Sequence, residues 1–250
     1  MRISIITVSF NSGATIADSI RSVACQAPPD VEHIVIDGKS SDDTLCVVKT
    51  HRHQGLILKS ESDKGIYDAM NKGLALASCE IVGILNSDDF YTQPDVLKEV
   101  VSFFESDPDL EVIMGGVDFV DNADLSRVVR KISSTGFSPW MLRFGFMPPH
   151  PAIFIRRSTY NRIGHFNLSY KIAADFEFLI RLFLVAKAKY KTIDRHWVRM
   201  RIGGASTSGW GSKKIITQEM LRALRSNGIY SCTPLLFLRF PIKYIKQVLL

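Results

Sequence analysis

The chain has 250 residues, 46% of them hydrophobic and 22% charged, with a formal net charge of +6; that much apolar material supports a full core and excludes a disordered or fibrous protein. Its four cysteines, Cys25, Cys46, Cys79 and Cys232, form no CxxC pair, so neither a zinc site nor a disulfide framework is expected and a reducing, cytoplasmic setting fits. Net charge conceals a polarity: residues 1–125 hold 9 Lys and Arg against 21 Asp and Glu, residues 126–250 hold 22 against 4, which predicts an anionic partner for the second half or, more plainly, a solvated basic face.

The first apolar stretch, residues 3–10, is short, carries Ser4, Thr7 and Ser9 and runs into Asn11, so it reads as a strand rather than a signal peptide. Further strands are expected over 32–36, 56–59, 81–85 and 111–115. Helical spacing falls between them, over roughly 14–26, 42–53, 66–77 and 94–106, with Ser41-Asp42-Asp43 opening the second helix and Thr92 preceding the fourth. This alternation predicts an α/β fold with a mostly parallel central sheet flanked by helices. Beyond Val117 the pattern loosens: strands at 128–132 and 152–155, an aromatic and proline-rich loop at 139–149, an apolar helix at 176–185, a loop at 203–211 and a helix near 213–226. No uncharged apolar run approaches the roughly 18 residues that cross a bilayer.

In such a sheet ligands bind outside the carboxyl ends of the strands. The sequence places there Phe10-Asn11, Asp37-Gly38, the run 61–65 (ESDKG) and Asn86-Ser87-Asp88-Asp89. Each alone is an ordinary turn or helix cap; together at one edge they predict a site. Neighbouring carboxylates repel and desolvate at a cost unless a cation joins them. Asp88 and Asp89 therefore predict Mg²⁺ or Mn²⁺, held by few protein oxygens and completed by substrate phosphates. The chain has no GxxxxGK[ST] run and no GxGxxG after the first strand, which argues against a P-loop and a dinucleotide site.

The segments TVSFN (7–11), VIDGKSSDDT (35–44), SDKGIYDAMNKG (62–73) and LNSDD (85–89) resemble glycosyltransferase family 2, inverting enzymes of the GT-A fold. The similarity continues through HPAIFIRR (150–157), IGHFN (163–167), AADFEFLIRL (173–182) and RIGGASTS (201–208), about 200 residues in the right order. The resemblance implies a Rossmann-like single domain, with 1–120 as the nucleotide-sugar-binding half and 121–212 as the acceptor-binding and catalytic half; the composition of 213–250 predicts a helical, basic C-terminal segment that either associates with a membrane or packs on the protein. The resemblance also implies a metal-dependent hexosyltransferase that moves a sugar from a nucleotide diphosphate-sugar, UDP-linked by preference, to a glycan or lipid-linked hydroxyl in surface polysaccharide biosynthesis. Thr7, Ser9 and Asn11 match the first strand of the nucleotide pocket, Asp37 the acid that contacts the base, and Lys64, Gly65 and Asn71 the segment lining nucleotide and sugar. Asp88 matches the metal-binding acid of the DxD signature, with Asp89 beside the donor sugar; Asn86 stands where the first Asp often lies, and its amide oxygen is a weaker, neutral ligand.

Asp175 matches the family's general base, and the charge count singles it out, since only Asp175, Glu177, Asp194 and Glu219 are acidic after residue 125. A helix cap is its structural alternative, and Glu177 is expected to pair with Arg181 at i+4. His150 either lines the acceptor side or packs; His196 is either a late metal ligand or structural. Gly203, Gly204 and Ser206 belong to a lid or a plain loop, with Arg199 and Arg201 before it available to neutralise phosphate. Residues 235–246 mix aromatic, aliphatic and basic side chains, which suits an anionic membrane surface or a packed terminus. Other readings are a nucleotidylyltransferase, which needs a glycine-rich loop after the first strand, a non-catalytic nucleotide-sugar-binding or scaffold protein, and a nucleic-acid binder, for which no motif is present. An oligomer is compatible with the sequence.

Overall fold

Alternation in the first strand sets the architecture: Ile3 and Ile5 face one side and Ile6 and Val8 the other, and all are buried. A strand buried on both faces needs helices above and below it. The computed structural model describes residues 1–26, 31–203 and 209–240. Its first half runs β1 (Ile3–Ser9), α1 (Ile16–Ala24), β2 (Val31–Asp37), α2 (Thr44–Thr50), β3 (Leu56–Ser60), α3 (Ile66–Leu76), β4 (Ile81–Ile84), β5 (Phe90–Tyr91) and α4 (Val96–Ser106). The second half runs β6 (Val112–Val120), β7 (Val128–Ile132), β8 (Ile153–Arg156), α5 (Arg157–Ile163), α6 (Ala174–Ile180), β9 (Tyr190–Arg201), α7 (Gly209–Ser226) and α8 (Thr233–Phe237).

These strands form one sheet in the order β3-β2-β1-β4-β8-β6-β9-β5, with β7 paired to the far half of β6. The expected parallel pattern holds for β1 to β4. It then breaks: β8 is antiparallel to β4 and β6, β9 is parallel to β6, and β5 is antiparallel to β9. The 12-residue β9 and the short α5 were not expected. In β9 the run TIDRHWVRMR is strongly charged and only Trp197 and Val198 are buried, so no hydrophobic alternation announces it. Thr92 does not cap α4; its hydroxyl donates to the His196 carbonyl at 2.9 Å, tying β9 to the chain after β5.

One core layer packs α3, α6 and α7 on the sheet through Ile6, Met70, Leu74, Phe176, Met220 and Leu224. On the opposite face α4 packs Leu97, Val100 and Phe104 against Ile3, Ile113 and Trp197. Gly73 brings α3 onto β1, since a Cβ there would lie 2.3 Å from an Ile6 methyl. Three consequences frame the site. The carboxyl ends of β1 to β4 share one edge. Antiparallel β8 begins at that edge, which puts His150 there. The first turn of α3 lies there as well, and Tyr67 in that turn touches Asp175 in the first turn of α6.

Candidate active site

At the end of β2, Asp37 is wholly buried. Its carboxylate accepts from Ser9 Oγ at 3.4 Å, Ser40 N at 3.0 Å, Ser60 Oγ at 2.7 Å and the Ser40 hydroxyl. Four donors fill its four lone-pair directions, so Asp37 knots the ends of β1, β2 and β3 rather than standing free. Asn11, at φ 49°, accepts from Ser41 N at 3.0 Å and staples the turns after β1 and β2. Thr7 sits two residues below the edge, its hydroxyl 3.0 Å from His33 Nε2, with His33 Nδ1 3.0 Å from His53 Nε2. Burial, then the neighbouring His53, push the His33 imidazole down to about 3. Phe10 and Asp63, read in the sequence only as strand-end residues, flank this corner. A Cβ on Gly38 would lie 2.5 Å from Asp63 Oδ2 and 3.3 Å from the Phe10 ring, and that ring is 64% exposed. An exposed aromatic at a strand end was a visible signal.

The segment after β3 is open to solvent. Lys64 and Gly65 are exposed, and Gly65 takes φ 111°, a conformation that favours glycine, at the start of α3. Asn71 does not face outward: its Nδ2 donates to the Phe166 carbonyl and its Oδ1 accepts from Phe166 N, both at 2.9 Å. It pins the 163–173 loop to α3.

After β4, Asn86 Nδ2 donates to Asp89 Oδ2 at 3.0 Å, while Asn86 Oδ1 is buried without a hydrogen-bond partner among the described residues. Burial, then the Asp88 charge, push the Asp89 carboxyl well above the usual carboxylate range; Asn86 and Arg201 oppose this. An orphaned amide oxygen and two adjoining carboxyls are hard oxygen donors short of a cation, which fits Mg²⁺ or Mn²⁺. Among the described residues no three His, Cys, Asp or Glu side chains cluster to hold a metal ion.

Arg201 is placed beside Asp88 and already has partners within the protein. Its Nη1 donates to the Asp88 carbonyl at 2.6 Å, its Nη2 pairs with Asp18, and its guanidinium lies over Phe90. Arg199 Nε is buried and unpartnered among the described residues. His196 Nδ1 lies 2.6 Å from Asp118 Oδ1, five residues before Arg201 on β9. Gly203 is exposed at φ 103°; Gly204 and Ser206, with the rest of the expected lid, lie outside the described residues.

Asp175 stands in the first turn of α6, its Oδ1 accepting from Phe176 N at 2.7 Å and 3.3 Å from the Tyr67 hydroxyl. Burial raises its carboxyl; His150, the Phe176 amide and Tyr67 oppose the rise. His150 is pushed down by burial, with Asp175 acting against it. Both line a cavity of about 10 Å³ walled by Ile84, Ile153, Tyr160, Phe166 and Phe178, about the room one water needs. Burial that raises the proton affinity of the Asp175 carboxylate suits it to accept a proton. Glu177 points away and forms the expected fork with Arg181, at 2.8 and 2.9 Å.

The mixed sheet, its helical cover and an acid-lined carboxyl edge define the GT-A class of nucleotide-sugar-dependent folds. In solved structures the chain matches Staphylococcus aureus TarS 1–349 in complex with UDP-GlcNAc, with TM-score 0.65 and 21% identity over 88% of this chain and 67% of that one. It also matches the mannosyltransferase PcManGT of Pyrobaculum calidifontis in complex with GDP-Man and Mn2+, with TM-score 0.64 and 18% identity over 90% and 63%. Against a longer TarS chain it spans 40% of the length. Residues 4–173 match the model of glycosyl transferase family 2, and the chain belongs to that family. Among curated relatives, an uncharacterized glycosyltransferase of Mycobacterium tuberculosis is 34% identical over 74% of this chain and 70% of its own. A PGL/p-HBAD biosynthesis glycosyltransferase of Mycobacterium bovis is 29% identical over 88% and 83%.

Proposed function

We propose that the protein is an inverting, metal-dependent glycosyltransferase that uses a UDP-sugar. Two carboxyls at one sheet edge carry the reading: Asp88, beside an acid whose charge is suppressed, and Asp175, raised by burial. The exposed Phe10 ring and Asp63 offer a nucleobase a stacking face and an acceptor, with Asp37 holding their strand ends in place. Asp88, with the Asn86 amide oxygen, would hold a divalent cation; when bound, that ion supplies charge stabilisation for a departing diphosphate. Asp175 accepts the proton of the acceptor hydroxyl as its oxygen bonds to the anomeric carbon. The bond from that carbon to the diphosphate breaks, and the nucleoside diphosphate leaves with the electron pair. One displacement inverts the configuration.

The acceptor in this reading is a glycan or lipid-linked hydroxyl of a surface polysaccharide, met at the inner face of the membrane. Exposed Trp140, Phe237 and Leu238 support it, because α8 packs beside residues 139–144, where Arg143 is also exposed. Aromatic and basic groups together favour an anionic interface. No helix among the described residues is long and apolar enough to cross a membrane. Calorimetry with UDP-, GDP- and dTDP-sugars, with and without Mn²⁺, tests the reading. Metal-dependent binding of a UDP-sugar is expected; binding of none of them would remove it.

A further inference from the structure

Residues 163–173, the last of α5 and the loop before α6, are gripped by side chains from α3 and α7 and by Arg181 just past α6. Arg181 donates to the carbonyls of Ile163 and His165 at 2.6 and 2.7 Å, and Asn71 holds both backbone groups of Phe166. From α7, Arg222 donates to the Ser169 carbonyl at 2.7 Å. One helical turn earlier Glu219 accepts the N–H groups of Lys171, Ile172 and Ala173 at 2.8, 2.9 and 3.0 Å. Loops expose most backbone polar groups to water; here side chains meet backbone groups of Ile163, His165, Phe166, Ser169, Lys171, Ile172 and Ala173. Glu219 is one of four acids in the second half of the chain, and its charge is met by backbone dipoles at the start of a helix.

Ile172 is the link to chemistry. Its N–H goes to Glu219, and its carbonyl accepts from the Tyr67 hydroxyl at 2.5 Å. The same hydroxyl lies 3.3 Å from Asp175 Oδ1. A phenol has one proton, so a carbonyl fixed at Ile172 competes with Asp175 for it. We propose that Glu219 is a positioning residue for Asp175: by fixing Ile172 it keeps the Tyr67 proton on the backbone and leaves the Asp175 carboxyl short of a donor. The Asp175 carboxyl is faced by Tyr67 from α3, by His150 from the turn before β8 and by the Phe176 amide of its own helix. Since α7 also packs directly on α6, the route through Ile172 is distinguished by whether the Tyr67 hydroxyl is needed for the effect. Burial alone raises a carboxyl; withholding the nearest hydroxyl proton lets that rise persist.

The inference rests on Asp175 being the general base, and the test separates the two. Asp175 is followed through pH by carbon NMR of labelled aspartate, assigned with Asp175→Asn, in wild type, Glu219→Asp, Tyr67→Phe and the double variant. Glu219→Asp keeps the charge but is one methylene too short to hold three amides. It is expected to lower the Asp175 titration toward the ordinary carboxylate value and to speed amide exchange at Ile172 and Ala173 about tenfold, with the β1 amides unchanged. In the Tyr67→Phe background the same substitution is expected to leave the Asp175 titration where it is, because the proton it would release is gone. Glu219→Gln, with reach but a single acceptor oxygen, should give a smaller shift and serves if Glu219→Asp does not fold. An unmoved titration in the Glu219 variants, or an equal shift with and without the Tyr67 hydroxyl, overturns the inference. Unaltered donor turnover in Asp175→Asn would instead remove the base assignment and leave the positioning claim to the titration.

Discussion

At Asp175 burial and the proposed role of base make opposing demands. Its folded carboxyl is raised, so the folded state keeps a proton that the unfolded chain has already lost. Stability from this group is therefore present below about 3.8, the unfolded value, and is lost as pH rises through the higher folded value. Asp175→Asn should accordingly raise the melting temperature at pH 8 by about 2–4 °C, an effect of about 1 kcal/mol, and the gain should shrink toward pH 4. The same variant should keep donor binding while donor turnover falls by about 10²–10⁴. Calorimetry, melts and turnover together check this, and a variant that binds no donor contradicts the assigned role. Asp89 gives the matching test for the ion. A cation favours the ionised carboxyls, so Mn²⁺ with UDP should raise the melting temperature more at pH 7.5 than at pH 5.5. Asp88→Asn should abolish that difference.

Among the elements, α3 does more than cover the sheet. Gly73 sets its distance from β1, Asn71 holds the 163–173 loop and Tyr67 reaches Asp175. Gly73→Ala should push Ile6 away and cost about 1–3 kcal/mol by overpacking, read in denaturant melts as a lower midpoint with an unchanged slope. The motif SDKGIYDAMNKG was legible as a helix start. That Asn71 serves the protein's own backbone was not, because its partner lies 95 residues away. The same distance problem hid the roles of Arg201 and Glu219. A sequence shows that a charged side chain exists, and only the packed fold shows which backbone group or ion meets it.

For the whole molecule, the charge polarity and the exposed Trp140, Phe237 and Leu238 make membrane association a measurable property. The protein should sediment with vesicles containing anionic lipid and much less with neutral ones. Joint replacement Trp140→Ser and Phe237→Ser should reduce that fraction several-fold, and equal sedimentation of wild type on neutral vesicles would argue against the basic surface as its cause.

What the sequence determined by itself was the first half of the sheet, the edge where its polar strand ends meet and the family, because strand period, turn residues and short motifs are local properties. β1 to β4 needed no distant partner to be read. The mixed second half, the occupation of Asp37 and Arg201 by internal partners and the path from Glu219 to Asp175 were decided by tertiary structure. Each depends on backbone groups brought together from distant positions, and hydrogen-bond partners across such separations are chosen by packing rather than by neighbours in the chain.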